Sequence, residues 1–236
     1  MQQMTDIHQH LIWGIDDGAA TFGVTKDMLL AANRQGIGTV IATSHVRPGF
    51  VPFNAELYRQ RLADAQNFCR ERNLNIKILP GAEIAWTYQT PLALRQEKIP
   101  TLGESDFVLL ELWRDISWKT AKDVVQQLTR AGYYPVLAHP ERYLAFLMSP
   151  KSAVRFRNET GALLQINADT LLNPRSYMER RFVQMLLRER SADAVASDAH
   201  NCTNRAVNMK SAYEWLEAHT DATYARELTT FGGVFA

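Results

Sequence analysis

The stretch Lys119–Arg142, KTAKDVVQQLTRAGYYPVLAHPER, holds one complete unit of the plan on which the chain is built. An amphipathic helical pattern over Lys119–Ala131 is followed by Gly132, where a left-handed C-cap is wanted. A short apolar run, Pro135–Ala138, comes next, and His139 stands directly after it. A continuous apolar run between amphipathic segments suits a parallel strand covered on both faces.

The same alternation extends outward in both directions. Further strands are predicted at Met4–His8, Thr39–Thr43, Asn75–Leu79, Phe107–Leu112, Ala162–Ile166 and Asp193–Ser197. Helical patterns occupy Val24–Gln35, Ala55–Arg72, Lys151–Glu159, Ser176–Arg190 and Arg205–His219, with Gly36 and Gly161 in further C-cap positions. No linker, repeat or low-complexity tract interrupts the 236 residues, so one domain spanning 1–236 is expected. Seven strand–helix units fit a closed or nearly closed α/β barrel. A doubly wound open sheet is the alternative from pattern alone, because element order does not reveal strand order. No GxGxxG or GxxxxGK[ST] motif supports a nucleotide-binding version.

Composition narrows the field. Lys plus Arg is 26 and Asp plus Glu is 25, without the basic excess of a nucleic-acid binder. Cys69 and Cys202 form no CxxC pair, which argues against a disulfide framework and a thiolate zinc site. No apolar run reaches the ~20 residues needed to span a bilayer, and the start lacks a signal-peptide core. A cytoplasmic protein without membrane insertion is the expectation.

Five of the six histidines fall at or just beyond the C-terminal end of a predicted strand: His8, His10, His45, His139 and His200. Glu83, Glu111 and Asp198 occupy similar places, and Asp17 lies in the loop motif GIDDG. In a parallel α/β barrel all strand C-termini meet on one face, where such folds carry their active sites. An HxH pair on a strand end points both imidazoles to one side. Histidine mixed with carboxylate and no thiolate selects Mn, Fe, Zn or Mg. One ion takes about four to six ligands, so nine donors imply two ions, or three if carboxylates bridge. Clustered divalent ions suit phosphoryl transfer, because they activate water and clamp phosphoryl oxygens. His219, near the end of the last helical pattern, is read as a surface residue.

Arg142 in HPER and Arg47 in HVR stand beside this set, and a planar guanidinium matches phosphate oxygens bidentately. Trp13, Trp86, Tyr88 and Trp113 lie near proposed ligands and could wall a ring, or pack the barrel rim. A cysteine-based phosphatase is excluded, since Cys-x5-Arg places Asn75 after Cys69 and Asn208 after Cys202. GxSxG is absent as well.

The ordered set DIHQHLIWGIDDGA, IATSH, GAEI, LLEL, LAHPERY, LLQINA and VASDAHN resembles the polymerase-and-histidinol-phosphatase superfamily. Within it, the set is most similar to the bacterial tyrosine phosphatases of capsule and exopolysaccharide synthesis. The resemblance runs from Thr5 to at least Tyr224. It implies a distorted seven-stranded TIM-like (β/α) barrel with a trinuclear, often manganese-dependent site. His8, His10, Asp17, His45, Glu83, Glu111, His139, Asp198 and His200 match the family's ligand positions. Arg142 matches its phosphate-contacting arginine, and Arg47 matches more loosely. The implied reaction is attack of a metal-activated hydroxide on phosphorus, in line with the tyrosine oxygen. The implied substrate is a phosphotyrosine-bearing bacterial tyrosine kinase. A small phosphate ester (sugar phosphate, histidinol phosphate or nucleotide) is the alternative within the superfamily, and a non-catalytic metal-binding scaffold is the alternative outside it.

Overall fold

A computed structural model of the chain describes residues 3–235, so the two ends of the expected domain, 1–2 and 236, lie outside the described residues. Seven strands alternate with helices: β1 Met4–Gln9, β2 Ile37–Val46, β3 Lys77–Ala85, β4 Phe107–Glu111, β5 Tyr134–Ala138, β6 Leu163–Asn167 and β7 Ala194–Ala196. The principal helices are α1 Phe22–Arg34, α2 Ala55–Glu71, α4 Trp118–Arg130, α6 Pro150–Thr160, α8 Tyr177–Arg188 and α9 Met209–His219. Shorter ones, absent from the sequence reading, are α3 Thr90–Arg95, α5 Leu144–Leu147, α7 Ala168–Leu172 and α10 Ala222–Thr230.

Helix α4 illustrates why these segments form. The Ser117 hydroxyl caps it by accepting the Thr120 N–H at 3.1 Å. Ala121, Val124, Val125 and Leu128 make one buried stripe, and Gly132 takes φ 92° just beyond the end.

All strand pairs are parallel, and the sheet order is β1-β2-β3-β4-β5-β6-β7. A doubly wound sheet reverses its order at a switch point; this one never does, so the fold is the barrel. β1 and β7 close it with little ladder. Gln9 bridges Ala199, the His10 N–H donates to Ala199 O at 2.9 Å, and the Asp198 N–H donates to His8 O at 2.8 Å.

Two strands run further than their apolar runs predicted. β2 and β3 stay in register through His45 opposite Glu83, whereas strand ends were expected at Thr43 and Leu79. Pro80 cannot donate to a ladder. Here the Tyr58 hydroxyl takes over locally: it accepts the Gly81 N–H at 3.0 Å and donates to Ala42 O at 2.7 Å. A Cβ at Gly81 would stand 2.6 Å from the Ile41 side chain, so only glycine permits this approach. His45 and Glu83 therefore sit within strands, not after them.

The inward side chains of each strand grade from apolar to polar with period two. β4 presents Phe107, Leu109 and then Glu111; β7 presents Ala194 and Ala196, followed by Asp198. β1 changes phase within itself. Ile7 belongs to the apolar floor and His8 to the polar mouth, and the pairing with β2 shifts register between Asp6 and Gln9. The floor is filled by Ile7, Ile41, Leu102, Leu109 and Val136, together with Phe231 and Phe235 from the segment after α10. A larger apolar layer lies between barrel and helices.

Candidate metal centre

All nine sequence-derived ligands converge at the C-terminal ends of the strands. Glu83 is the hub. Its Oε2 lies 3.2 Å from His8 Nε2, 3.2 Å from His10 Nε2 and 3.1 Å from His45 Nδ1, and its Oε1 lies 2.7 Å from His139 Nε2. Asp198 Oδ1 stands 3.4 Å from His8 Nε2 and 3.5 Å from His10 Nε2. Asp17 reaches in from the rim, with Oδ1 3.4 Å from His200 Nε2 and 3.5 Å from His45 Nε2. Glu111 Oε1 is 4.0 Å from His139 Nε2. These donors fall into four overlapping groups, each with all ligand atoms within 4.8 Å of one another. His8, His10, His45 and Glu83 each belong to two groups, which is the arrangement that adjacent ions with shared ligands require.

A surrounding layer orients the imidazoles. His8 Nδ1 meets Gln165 Oε1 at 2.9 Å, His10 Nδ1 meets Asp16 Oδ2 at 2.8 Å, and His200 Nδ1 meets Asp198 O at 3.0 Å. With Nδ1–H donated outward, each Nε2 lone pair is left for the centre. Asn167 donates to Asp198 Oδ2 at 2.7 Å and accepts from Gln165 Nε2 at 2.9 Å. Buried Asp6 accepts the Ser197 N–H and hydroxyl, fixing the turn that carries Asp198.

Two site residues hold left-handed backbone unusual for a side chain with a Cβ: His139 at φ 34° and Asp198 at φ 52°. Each costs of order 1–3 kcal/mol and persists only where the surroundings impose it. Both mark the point where a strand stops and its chain turns over the mouth.

Ionisable groups crowd together here away from water. Burial works against the His10 imidazolium, yet Asp16 and Glu83 overcome it and raise the group to about 10. Burial likewise opposes ionisation of Asp16, but His10 and the His45 and Gly18 N–H groups hold it at about 2. Glu83 is held well below the usual carboxylate range by His8, His10 and His139, against its burial. Glu111 is pushed up to about 7 by burial and then by the Glu83 charge. His200 falls to about 4 through burial, His10 and Arg205.

Arg142 Nη2 donates to Asp198 Oδ2 at 2.7 Å, and Arg205 Nη2 donates to Asp198 Oδ1 at 2.9 Å. Arg47 is exposed, with its guanidinium 4.2 Å from the Phe50 ring centroid. Arg47 and Arg142 both line a cavity of about 880 Å³ that opens over His45, Glu111 and His139. Of the four aromatic residues considered for its wall, Trp86 and Trp113 line it. Trp13 packs on Phe22 with centroids 4.5 Å apart, and Tyr88 projects into solvent. His219 ends α9 at the surface, stacked on Trp215.

Sequence reasoning missed Asp16, Gln165, Asn167 and Arg205. Gln165 and Asn167 were detectable in principle, as buried polar positions inside the apolar strand LLQIN. Asp16 was masked by its neighbour Asp17, since two adjacent acids do not say which turns inward. Arg205 was assigned to a helix that begins only at Met209; the intervening turn is held by Asn201 Oδ1, which accepts the Thr203 and Arg205 N–H groups.

Fold and site together define a (β/α) barrel with a histidine–carboxylate cluster at its mouth that could hold metal ions. The chain belongs to the CpsB/CapC family of capsular polysaccharide synthesis, whose model matches residues 4–232. It is 31% identical to the tyrosine-protein phosphatase CpsB of Streptococcus pneumoniae over 230 residues, covering 95% of this chain and 94% of that relative. A chain from the crystal structures of YwqE of Bacillus subtilis and CpsB of S. pneumoniae, described as metal-dependent tyrosine phosphatases, superposes with TM-score 0.86 at 29% identity, covering 94% of this chain and 90% of that one. The histidinol phosphate phosphatase of Lactococcus lactis shares the fold at TM-score 0.58 and 14% identity, covering 94% of each chain.

Proposed function

We propose that this chain is a metal-dependent protein-tyrosine phosphatase whose nine clustered side chains hold two to three divalent ions, manganese foremost, with iron, zinc and magnesium as alternatives. The observation that carries this reading is Glu83, one buried carboxylate within 3.2 Å of four histidines on three separate stretches of chain. The residues fit such ions. The donors are nitrogen and oxygen only, and buried His200 Nε2 has no hydrogen-bond partner. Glu111, raised by burial and then by the Glu83 charge, adds a further carboxyl to the oxygen donors. Bound there, divalent ions would lower the pKa of water toward ~7 and neutralise phosphoryl oxygens.

The chain's own groups do the rest. Gln165, Asp16 and the Asp198 carbonyl fix the tautomers of His8, His10 and His200, so three Nε2 atoms stay available. Arg142, anchored on Asp198, keeps further N–H groups for non-bridging phosphoryl oxygens as charge shifts during transfer. Arg47, which lines the same cavity, would do the same. Trp86 and Trp113 accept the tyrosine ring, worth about 0.5–1.5 kcal/mol beyond burial. A phenolate with pKa near 10 leaves readily, so a strong general acid is not required.

The substrate proposed is the phosphotyrosine of a bacterial tyrosine kinase regulating capsule or exopolysaccharide synthesis, met in the cytoplasm. The family's place in capsular polysaccharide synthesis supports this. No helix among the described residues is long and apolar enough to cross a membrane.

The test is turnover of p-nitrophenyl phosphate, a phosphotyrosine peptide and a panel of small phosphomonoesters, after chelation and after Mn²⁺ add-back. Activity that vanishes with chelator, returns with Mn²⁺ and favours the peptide is expected. Preference for a sugar phosphate or histidinol phosphate would transfer the site to the small-ester reading. Inactivity at full metal occupancy would refute the enzyme.

A further inference from the structure

The mouth is larger than the phosphoryl chemistry needs. At about 880 Å³ it stands near the top of the ~300–1,000 Å³ range of ligand pockets, and one tyrosine ring with its phosphate fills only part of that. Its outer wall comes from three loops: Val51 after β2, Trp113 and Arg114 after β4, and Arg175 between α7 and α8. Val51 and Trp113 are exposed apolar surface in a position where a soluble domain has no structural need of it.

Arginine predominates on this wall, with Glu179 the acidic neighbour of Arg175. Arg114 is exposed and makes no ion pair among the described residues. Its backbone is nevertheless fixed, because Arg114 O accepts the Leu144 N–H at 2.8 Å and ties the loop to α5. Arg175, 73% exposed, reaches only the exposed Asp169 carboxylate, at 3.4 Å. The carboxylates lining the same cavity are otherwise engaged. Asp16 is bound by His10 and the His45 N–H, Glu111 faces the metal donors, Glu141 is buried against the Asn167 N–H, and Glu179 accepts the Arg175 N–H at 2.6 Å. The groups free to meet an incoming chain are therefore guanidinium ions above an apolar shelf.

We infer that Arg114 and Arg175 form a flanking subsite for acidic side chains next to the phosphotyrosine, so that the enzyme prefers peptides with Asp or Glu beside the target residue. The inference rests on the tyrosine-phosphatase reading and adds a sequence preference to it. The peptide lies across Val51 and Trp113, its phosphotyrosine directed inward and its acidic neighbours toward the two arginines. Exposed pairs of this kind act on encounter and KM more than on the chemical step.

The experiment uses the full Mn²⁺-loaded chain and three phosphotyrosine peptides, identical except for Glu, Ala or Lys flanks, with p-nitrophenyl phosphate as reference. Values of kcat/KM should fall in the order Glu, Ala, Lys, each step about two- to fivefold and carried by KM. The spread should shrink in about 0.5 M NaCl through screening. In the double variant Arg114→Glu/Arg175→Glu the order should reverse, with p-nitrophenyl phosphate turnover unchanged. Equal kcat/KM for the three peptides, or a Glu preference surviving in the double variant, overturns the inference while leaving the phosphatase reading intact. Absence of turnover on every substrate removes that reading, and this inference with it.

Discussion

The two ends of the barrel interior are built from the same strands and could hardly differ more. At the floor, Ile7, Ile41, Leu109 and Val136 meet Phe231 and Phe235, whose rings stack at 5.9 Å with a 12° interplanar angle. At the mouth, one to four residues further along the chain from these, His8, His45, Glu111 and His139 crowd around Glu83. The floor is stabilised by apolar area removed from water. The mouth carries buried charge and two left-handed residues, features that cost stability unless compensated. The contrast teaches that one end holds the barrel together so that the other can hold reactive groups in place.

Substitutions at each end should separate these roles. The largest effect is expected for Glu83→Gln, which keeps the shape and removes the shared charge. Its kcat/KM on p-nitrophenyl phosphate should fall about 10³-fold with the circular-dichroism spectrum retained; near-normal turnover would break the contrast from the mouth side. Phe235→Ala should do the converse, lowering stability by about 3 kcal/mol in urea unfolding while leaving kcat near wild type. Loss of kcat without loss of stability would mean the floor is not mainly a support.

Gln165→Ala sharpens the comparison within the mouth. With the His8 tautomer no longer fixed, metal affinity should weaken about 10- to 100-fold, read by competition with a fluorescent chelator. The smallest effect concerns pH in the metal-free protein. His10, raised from 6.5 to about 10, contributes stability that is complete below 6.5 and is lost as pH rises through about 10. The metal-free Tm should therefore decline from pH 7 to 9. Metal loading should oppose that decline, because deprotonated imidazoles bind better. A flat metal-free profile would show that the His10 proton is not held as the geometry implies.

The mouth was legible in the sequence and the floor was not, for a physical reason. Ligand chemistry needs particular residue types, so His8, His10 and His200 stand out against their apolar strands wherever they lie. Apolar filling needs only volume, and nothing in TTFGGVFA distinguishes a plug from a surface tail. The helix–strand plan was equally plain, since α4 and β5 differ in hydrophobic period. Strand ends were less so. The apolar runs stop at Thr43 and Leu79, whereas the ladder, with the Tyr58 hydroxyl bonded to Ala42 O and the Gly81 N–H, continues to His45 and Glu83. The orienting layer escaped notice because Asp16 and Asn167 act on ligands rather than on substrate, and their residue types are common in turns.

Nine side chains at one barrel mouth are proposed to form a single polynuclear metal centre. Anomalous diffraction from crystals grown with Mn²⁺ tests both place and number. Two or three peaks are expected, each within coordination distance of His8, His10, Asp17, His45, Glu83, Glu111, His139, Asp198 or His200. One peak alone, or peaks away from Glu83, would contradict that proposal.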